Sequence, residues 1–149
     1  MDYTHTVRTT ADPDHTWSAL ASVTTYPQWT SSMTAVTPLD GEQLRAGRRF
    51  RIRQPGFPPV VWRVTDLVDG ESYQWEAHSP GVHTVAFHRL TPDASGGTTI
   101  TIGIRQSGAL AGLLGALTGS RTRRYLALEA AGLKAAAESA EGRTGGTER

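Results

Sequence analysis

The chain has 149 residues, the length of one ordinary domain. It contains no cysteine, which excludes disulfides, iron–sulfur clusters, thiolate zinc sites and a thiol nucleophile. Its 15 basic and 14 acidic residues leave a net charge of +1, so no general field draws in nucleic acid or an anionic membrane.

Tyr3 to Thr10 is rich in β-branched and aromatic residues and reads as a strand. Asp12-Pro13-Asp14 ends it and starts a helix, with Asp12 as cap and Pro13 at the first helical position. Trp17, Leu20 and Ala21 give that helix one apolar face. Tyr26 to Trp29 reads as a second short helix. From Met33 the period changes to two. Met33 to Leu39 is a strand closed by Asp40-Gly41. Arg49, Arg51 and Arg53 alternate with Phe50 and Ile52, the pattern of a half-buried antiparallel strand. Val60 to Val68 follows and ends at Asp69-Gly70, a hairpin turn signal. Tyr73, Trp75 and Ala77 share one face of the next strand. Ser79-Pro80-Gly81 turns the chain into Val82 to Leu90, and Thr98 to Gln106 completes the sheet.

After Gly108 the period returns to that of a helix. Leu110, Leu113, Leu114 and Leu117 form a short stripe weakened by Gly112 and Gly115. The spacing predicts a separate, longest helix from about Arg121 to Ser139, with Leu126, Ala130, Leu133 and Ala137 inside. The Gly108–Gly119 segment is then a candidate lid. Residues 139–149 lack any large apolar side chain and are expected to fray, so the domain is drawn at 1–140 with a disordered tail over 141–149. Met1 to His5 shows neither a charged region nor an apolar core of a signal peptide, and no segment is long enough to span a bilayer. The expected location is the cytoplasm.

This is an α+β order: one strand, two short helices, six strands, one long C-terminal helix. A seven-stranded curved antiparallel sheet cannot cover its own apolar face, so it wraps the C-terminal helix.

That order, with Asp12-Pro13-Asp14, Trp17, Tyr26-Pro27 and Trp29 behind the first strand, resembles the START-like, Bet v 1-like helix-grip superfamily (SRPBCC). Gly47, Phe50, Pro55, Trp62-Arg63-Val64, Tyr73-Gln74-Trp75, Pro80-Gly81, His88-Arg89-Leu90 and Glu129 with Gly132-Leu133-Lys134 are similar to polyketide cyclase/dehydrase and lipid-transport proteins. The resemblance spans about residues 2–140. It implies an internal cavity for a small hydrophobic ligand, polyketide-like or lipid-like. The chain would serve as carrier or as a polyketide cyclase/aromatase. The other reading is an interaction protein with a vestigial cavity. Fold alone does not choose.

Residue by residue, the expected cavity wall is Trp29, Phe50, Trp62, Trp75, Ile102, Tyr125 and Glu129, because aromatic rings combine apolar area with a polar tip. Each of these is equally a core residue on parity alone. For catalysis the polar set is His88, Arg48 and Tyr73. His88 shares parity with Ala86 and Leu90, His83 with Val85 and Phe87; parity alone leaves open which of the two points inward, and Leu90 inclines the choice to His88. Arg48 shares parity with Phe50 and Ile52 and is expected at the cavity mouth. Glu129 lies beside the helix stripe and is either buried or paired with Arg121 or Arg48. Asp66 shares parity with Trp62 and Val64. The remaining arginines, Arg49, Arg51, Arg53 and Arg63, read as a solvated outer face or as a dock for an acidic acyl carrier protein.

No metal is expected. His83 and His88 fall on opposite strand faces, and neither His-x-His nor His-Glu-x-x-His spacing occurs. No cofactor is expected either, since there is no nucleophile elbow or glycine-rich phosphate loop. The expected state is a monomer or homodimer without nucleic acid or membrane insertion.

Overall fold

A computed structural model describes residues 2–147, with side chains through residue 143. Strand β1 (Asp2–Thr9) is followed by helix α1 (Pro13–Ala21), a 3-10 turn (Val23–Thr25) and helix α2 (Tyr26–Trp29). Strands β2 (Ala35–Pro38), β3 (Arg49–Arg53), β4 (Val60–Val68), β5 (Ser72–Ser79), β6 (Val82–Pro92) and β7 (Thr98–Ser107) come next, then helix α3 (Ala111–Thr147). The seven strands form one antiparallel sheet in the order β1-β7-β6-β5-β4-β3-β2. Only the first strand is out of sequence order, placed beside the last. The sheet curves around α3, as the alternation and the final helical period require.

The local signals act as expected at α1. The Asp12 side chain accepts from the His15 backbone N–H at 2.8 Å, and Pro13 opens the helix. In β3, Phe50 and Ile52 are buried while Arg49, Arg51 and Arg53 are exposed. The inner face continues through Trp62 and Val64, Tyr73, Trp75 and Ala77, Ala86, His88 and Leu90, and Ile100 and Ile102. Leu126, Ala130, Leu133 and Ala137 of α3 close the core from the other side.

Two expectations need correction. The last helix is continuous from Ala111 to Thr147, with no break at Gly119-Ser120. A glycine inside a helix costs about 1 kcal/mol relative to alanine, but here packing overrides propensity. A Cβ on Gly119 would lie 2.8 Å from the Tyr3 hydroxyl, so the missing side chain leaves room for the tip of Tyr3 against α3. Within the Gly108–Gly119 segment, residues from Ala111 onward are the first turns of the grip helix. The Leu110 N–H also donates to the Gly81 carbonyl at 2.9 Å, tying that start to the β5–β6 turn. Glu141 continues α3 past residue 140 and accepts from the Asp12 N–H at 2.6 Å. The last two positions of the expected tail, 148–149, lie outside the described residues. Second, Asp66 points outward. The register slips between Val64 and Asp66, a bulge that reverses parity and turns Leu67 toward the core in its place.

Candidate ligand cavity

Between α3 and the inner face of β4–β7 lies a cavity of about 350 Å³. Trp62, Val60 and Ala77 form one wall, Val82, Thr84 and Ile104 another, and Thr122, Tyr125, Leu126 and Glu129 of α3 the third. Its mouth lies between the β3–β4 loop (Gln54, Phe57, Pro58), the β5–β6 turn (Ser79, Pro80) and the first turns of α3. Leu110, Leu113 and Leu117 ring that mouth and are exposed. A smaller pocket of about 30 Å³ lies deeper, against Trp75, Ala86, His88 and Ile102. It shares Gln54, Trp62, Ile104, Leu126 and Glu129 with the larger space, so it is the blind end of the same cavity.

The blind end carries a buried polar chain. His88 is 2% exposed and Glu129 6%. His88 Nε2 is 3.1 Å from Glu129 Oε1 and 3.4 Å from the Tyr73 hydroxyl. The Tyr73 ring stacks on His88 at 4.1 Å between centroids, with 10° between planes. Tyr73 is 2.7 Å from the Tyr26 hydroxyl, which donates to the Leu20 carbonyl. Burial pushes both phenols well above their usual value; the nearby Glu129 charge adds to it in each. They are hydrogen-bonding groups at any ordinary pH. The chain thus links α1, α2, β5, β6 and α3 through one line of polar atoms.

The expected site residues separate into groups. Trp62, Tyr125 and Glu129 line the main cavity, and Trp75, Ile102 and His88 line its blind end. Tyr125 also donates to the Pro55 carbonyl, which holds the β3–β4 loop at the mouth. Phe50 and Trp29 do not line the cavity. Phe50 is fully buried behind Trp75, with centroids 6.1 Å apart. Trp29 packs tilted against Tyr26, with centroids 4.8 Å apart, and abuts α3 at Gly132. Tyr73 stands behind His88, its hydroxyl occupied by Tyr26. Arg48 does not reach the cavity: its Nη1 donates to the Gln43 carbonyl at 2.9 Å, outside the sheet. Parity placed it inward, but β3 begins only at Arg49 and Arg48 belongs to the preceding turn. Glu129 pairs with His88 rather than with Arg121, which instead donates to the Gly56 carbonyl.

Several lining positions escaped the sequence reading. Thr122 lies one helical turn before Tyr125 and Leu126, on the same stripe as Glu129, so extending the period would have found it. Gln54 and Phe57 come from an irregular loop and carry no periodic signal. His83 faces outward, 2.6 Å from Glu76 Oε2, and stacks on His78 at 4.4 Å. Among the described residues Glu76, His78 and His83 offer donor atoms within 4.8 Å of one another. Local spacing could not reveal this cluster because it spans the His78–His83 cross-strand pair. A second cluster joins Asp12, His15 and Glu141.

An antiparallel sheet gripping a long C-terminal helix around a cavity defines the helix-grip class. The family described as polyketide cyclase/dehydrase and lipid transport matches over residues 1–138, and the chain belongs to it. Solved structures agree on the fold. TTHA0849 from Thermus thermophilus superposes with a TM-score of 0.75 at 12% identity, covering 94% of this chain and 99% of that one. A START superfamily protein from Mycobacterium smegmatis gives 0.67 at 14% identity, over 93% and 97%. Ara h 8.0201, of the Bet v 1 type, gives 0.66 at 9% identity, over 93% and 98%. Among curated proteins, none matches the sequence. No described helix is long and apolar enough to cross a membrane.

Proposed function

We propose that the chain binds a small hydrophobic molecule in the cavity between α3 and the sheet, as a carrier or binding protein. The observation that carries this is the space itself. A volume of about 350 Å³, apolar along its walls and open at one end, falls at the lower end of the range of about 300–1,000 Å³ for small-molecule pockets. A vestigial cavity filled by side chains would leave no such space. Exposed Leu110, Leu113 and Leu117 at the mouth supply an apolar entry path.

A cyclase reading needs His88, Tyr73 and Arg48 to converge on a substrate. Arg48 points elsewhere and the Tyr73 hydroxyl is committed to Tyr26, which favours binding over catalysis. The outward Arg51, Arg53 and Arg63 suit an acidic carrier protein as the source or destination of the ligand.

Ala77 lines the cavity from β5 and is 4% exposed. N-phenyl-1-naphthylamine, a neutral apolar dye, is expected to brighten on the wild-type protein and bind Ala77→Phe at least about tenfold more weakly. Circular dichroism of the variant should match the wild type. No dye binding by the wild type, or unchanged binding by Ala77→Phe, overturns the reading.

A further inference from the structure

We infer that the blind end of the cavity reads a hydroxyl group on the ligand, so that the preferred ligand is an apolar alcohol or phenol rather than a carboxylic acid or an ether. This deepens the binding function proposed above and rests on it. The Leu20 carbonyl can only accept, so the Tyr26 hydrogen is spent on it. Tyr26 therefore offers only a lone pair to Tyr73, and the Tyr73 hydrogen is spent on Tyr26 at 2.7 Å. Tyr73 in turn offers only a lone pair to His88, as does the Glu129 carboxylate. His88 Nε2 must carry the hydrogen that joins them. In the neutral ring Nδ1 is then a bare acceptor. It is buried and has no partner among the described residues.

An orphaned acceptor at a buried site costs free energy until a donor reaches it. The blind pocket beside His88 has about 30 Å³, room for a small polar group. That suits one hydroxyl. Glu129 lines the same pocket and adds a second acceptor with negative charge. A ligand carboxylate would bring a like charge against Glu129 and no hydrogen to give. An ether would likewise leave Nδ1 unsatisfied. The other lining residues with polar side-chain groups are Gln54, Trp62 and Trp75. All are neutral and compatible with a hydroxyl oxygen, which accepts as well as donates.

Isothermal titration of the full chain with 2-naphthol, 2-methoxynaphthalene and 2-naphthoate tests this. These share one ring system and differ in donor capacity and charge. The wild type is expected to bind 2-naphthol about tenfold or more tighter than the methyl ether, and 2-naphthoate no better than the ether. His88→Phe, which keeps a ring against Tyr73, should bring 2-naphthol to the level of the ether and leave the ether within about twofold. Glu129→Gln removes the charge and should raise 2-naphthoate affinity about tenfold. The inference falls if the ether or the naphthoate matches 2-naphthol in the wild type, or if the 2-naphthol advantage survives His88→Phe. Should either variant lose its native circular dichroism, the wild-type ranking decides alone. Binding of all three with equal strength overturns the hydroxyl preference but supports the binding function. Binding of none overturns both.

Discussion

Single side chains show how far parity can be trusted. His88 and His83 lie in one strand, and alternation places them on opposite faces without saying which face is buried; packing against α3 makes it the face of His88, Ala86 and Leu90. Arg48 and Asp66 obeyed the same arithmetic and were misplaced, because each lies where the strand geometry is interrupted. Arg48 precedes the first residue of β3, and a bulge separates Asp66 from Val64. Alternation holds only while the ladder is regular. Asp93 shows a different local logic. Its carboxylate accepts from the Ser95 hydroxyl and backbone N–H, from the Gly97 N–H and from Arg8. The Ser95 hydroxyl foremost, with Arg8 and the backbone groups, holds it at about 2 against a usual 3.8. A carboxylate depressed in the folded state adds stability above its ordinary value and loses that addition as pH falls through the folded one. Asp93→Asn should therefore be less stable than the wild type at pH 6. The difference should shrink between about pH 4 and pH 2 in denaturant titrations.

At the scale of elements, glycines decide how closely parts approach. Gly132 in α3 faces the end of α2, and a Cβ there would lie 2.0 Å from the Trp29 carbonyl oxygen. That oxygen is backbone and cannot swing away. In an open helix, replacing glycine by alanine stabilises by up to about 1 kcal/mol. At Gly132 the clash should outweigh this, giving Gly132→Ala a net loss of about 1–3 kcal/mol in thermal or urea unfolding. Gly142 is exposed, and a Cβ added there would meet nothing within 4 Å, so Gly142→Ala should be neutral or stabilising. Equal effects at both sites would show that α2 does not dock this closely. The same reasoning explains the unbroken α3. Its glycines weaken the local propensity, yet Gly119 gains the approach of Tyr3 and Gly132 that of Trp29.

For the whole molecule, the Tyr26–Tyr73–His88–Glu129 chain joins parts that are remote in sequence. Tyr26 and Tyr73 have ordinary values near 10 that burial raises well above it. For a group raised on folding, the folded state keeps its full stability below the unfolded value. That stability is lost once the unfolded chain ionises and the folded one does not. The protein should therefore lose stability steeply above about pH 10. Tyr73→Phe should flatten that loss while lowering stability near neutrality by about 1–3 kcal/mol through the orphaned Tyr26 partner. Equilibrium unfolding at pH 8 and pH 10.5 measures both. An identical slope in the variant would show that Tyr73 does not contribute to it.

The amino-acid order alone determined the strand and helix sequence, the wrapped helix and the outward arginines, and it left His88 and His83 on opposite faces of one strand. These follow from periods of 2 and 3.6 and from turn chemistry, which are properties of neighbouring residues. Only the tertiary structure decided that Phe50 and Trp29 are core while Trp62, Tyr125 and Glu129 line a cavity. Core and cavity wall share one face of one sheet, and what separates them is where α3 stands off from it. The pairing of His88 with Glu129 was likewise settled by packing, since its partners lie 41 residues apart in the chain and no local period connects them.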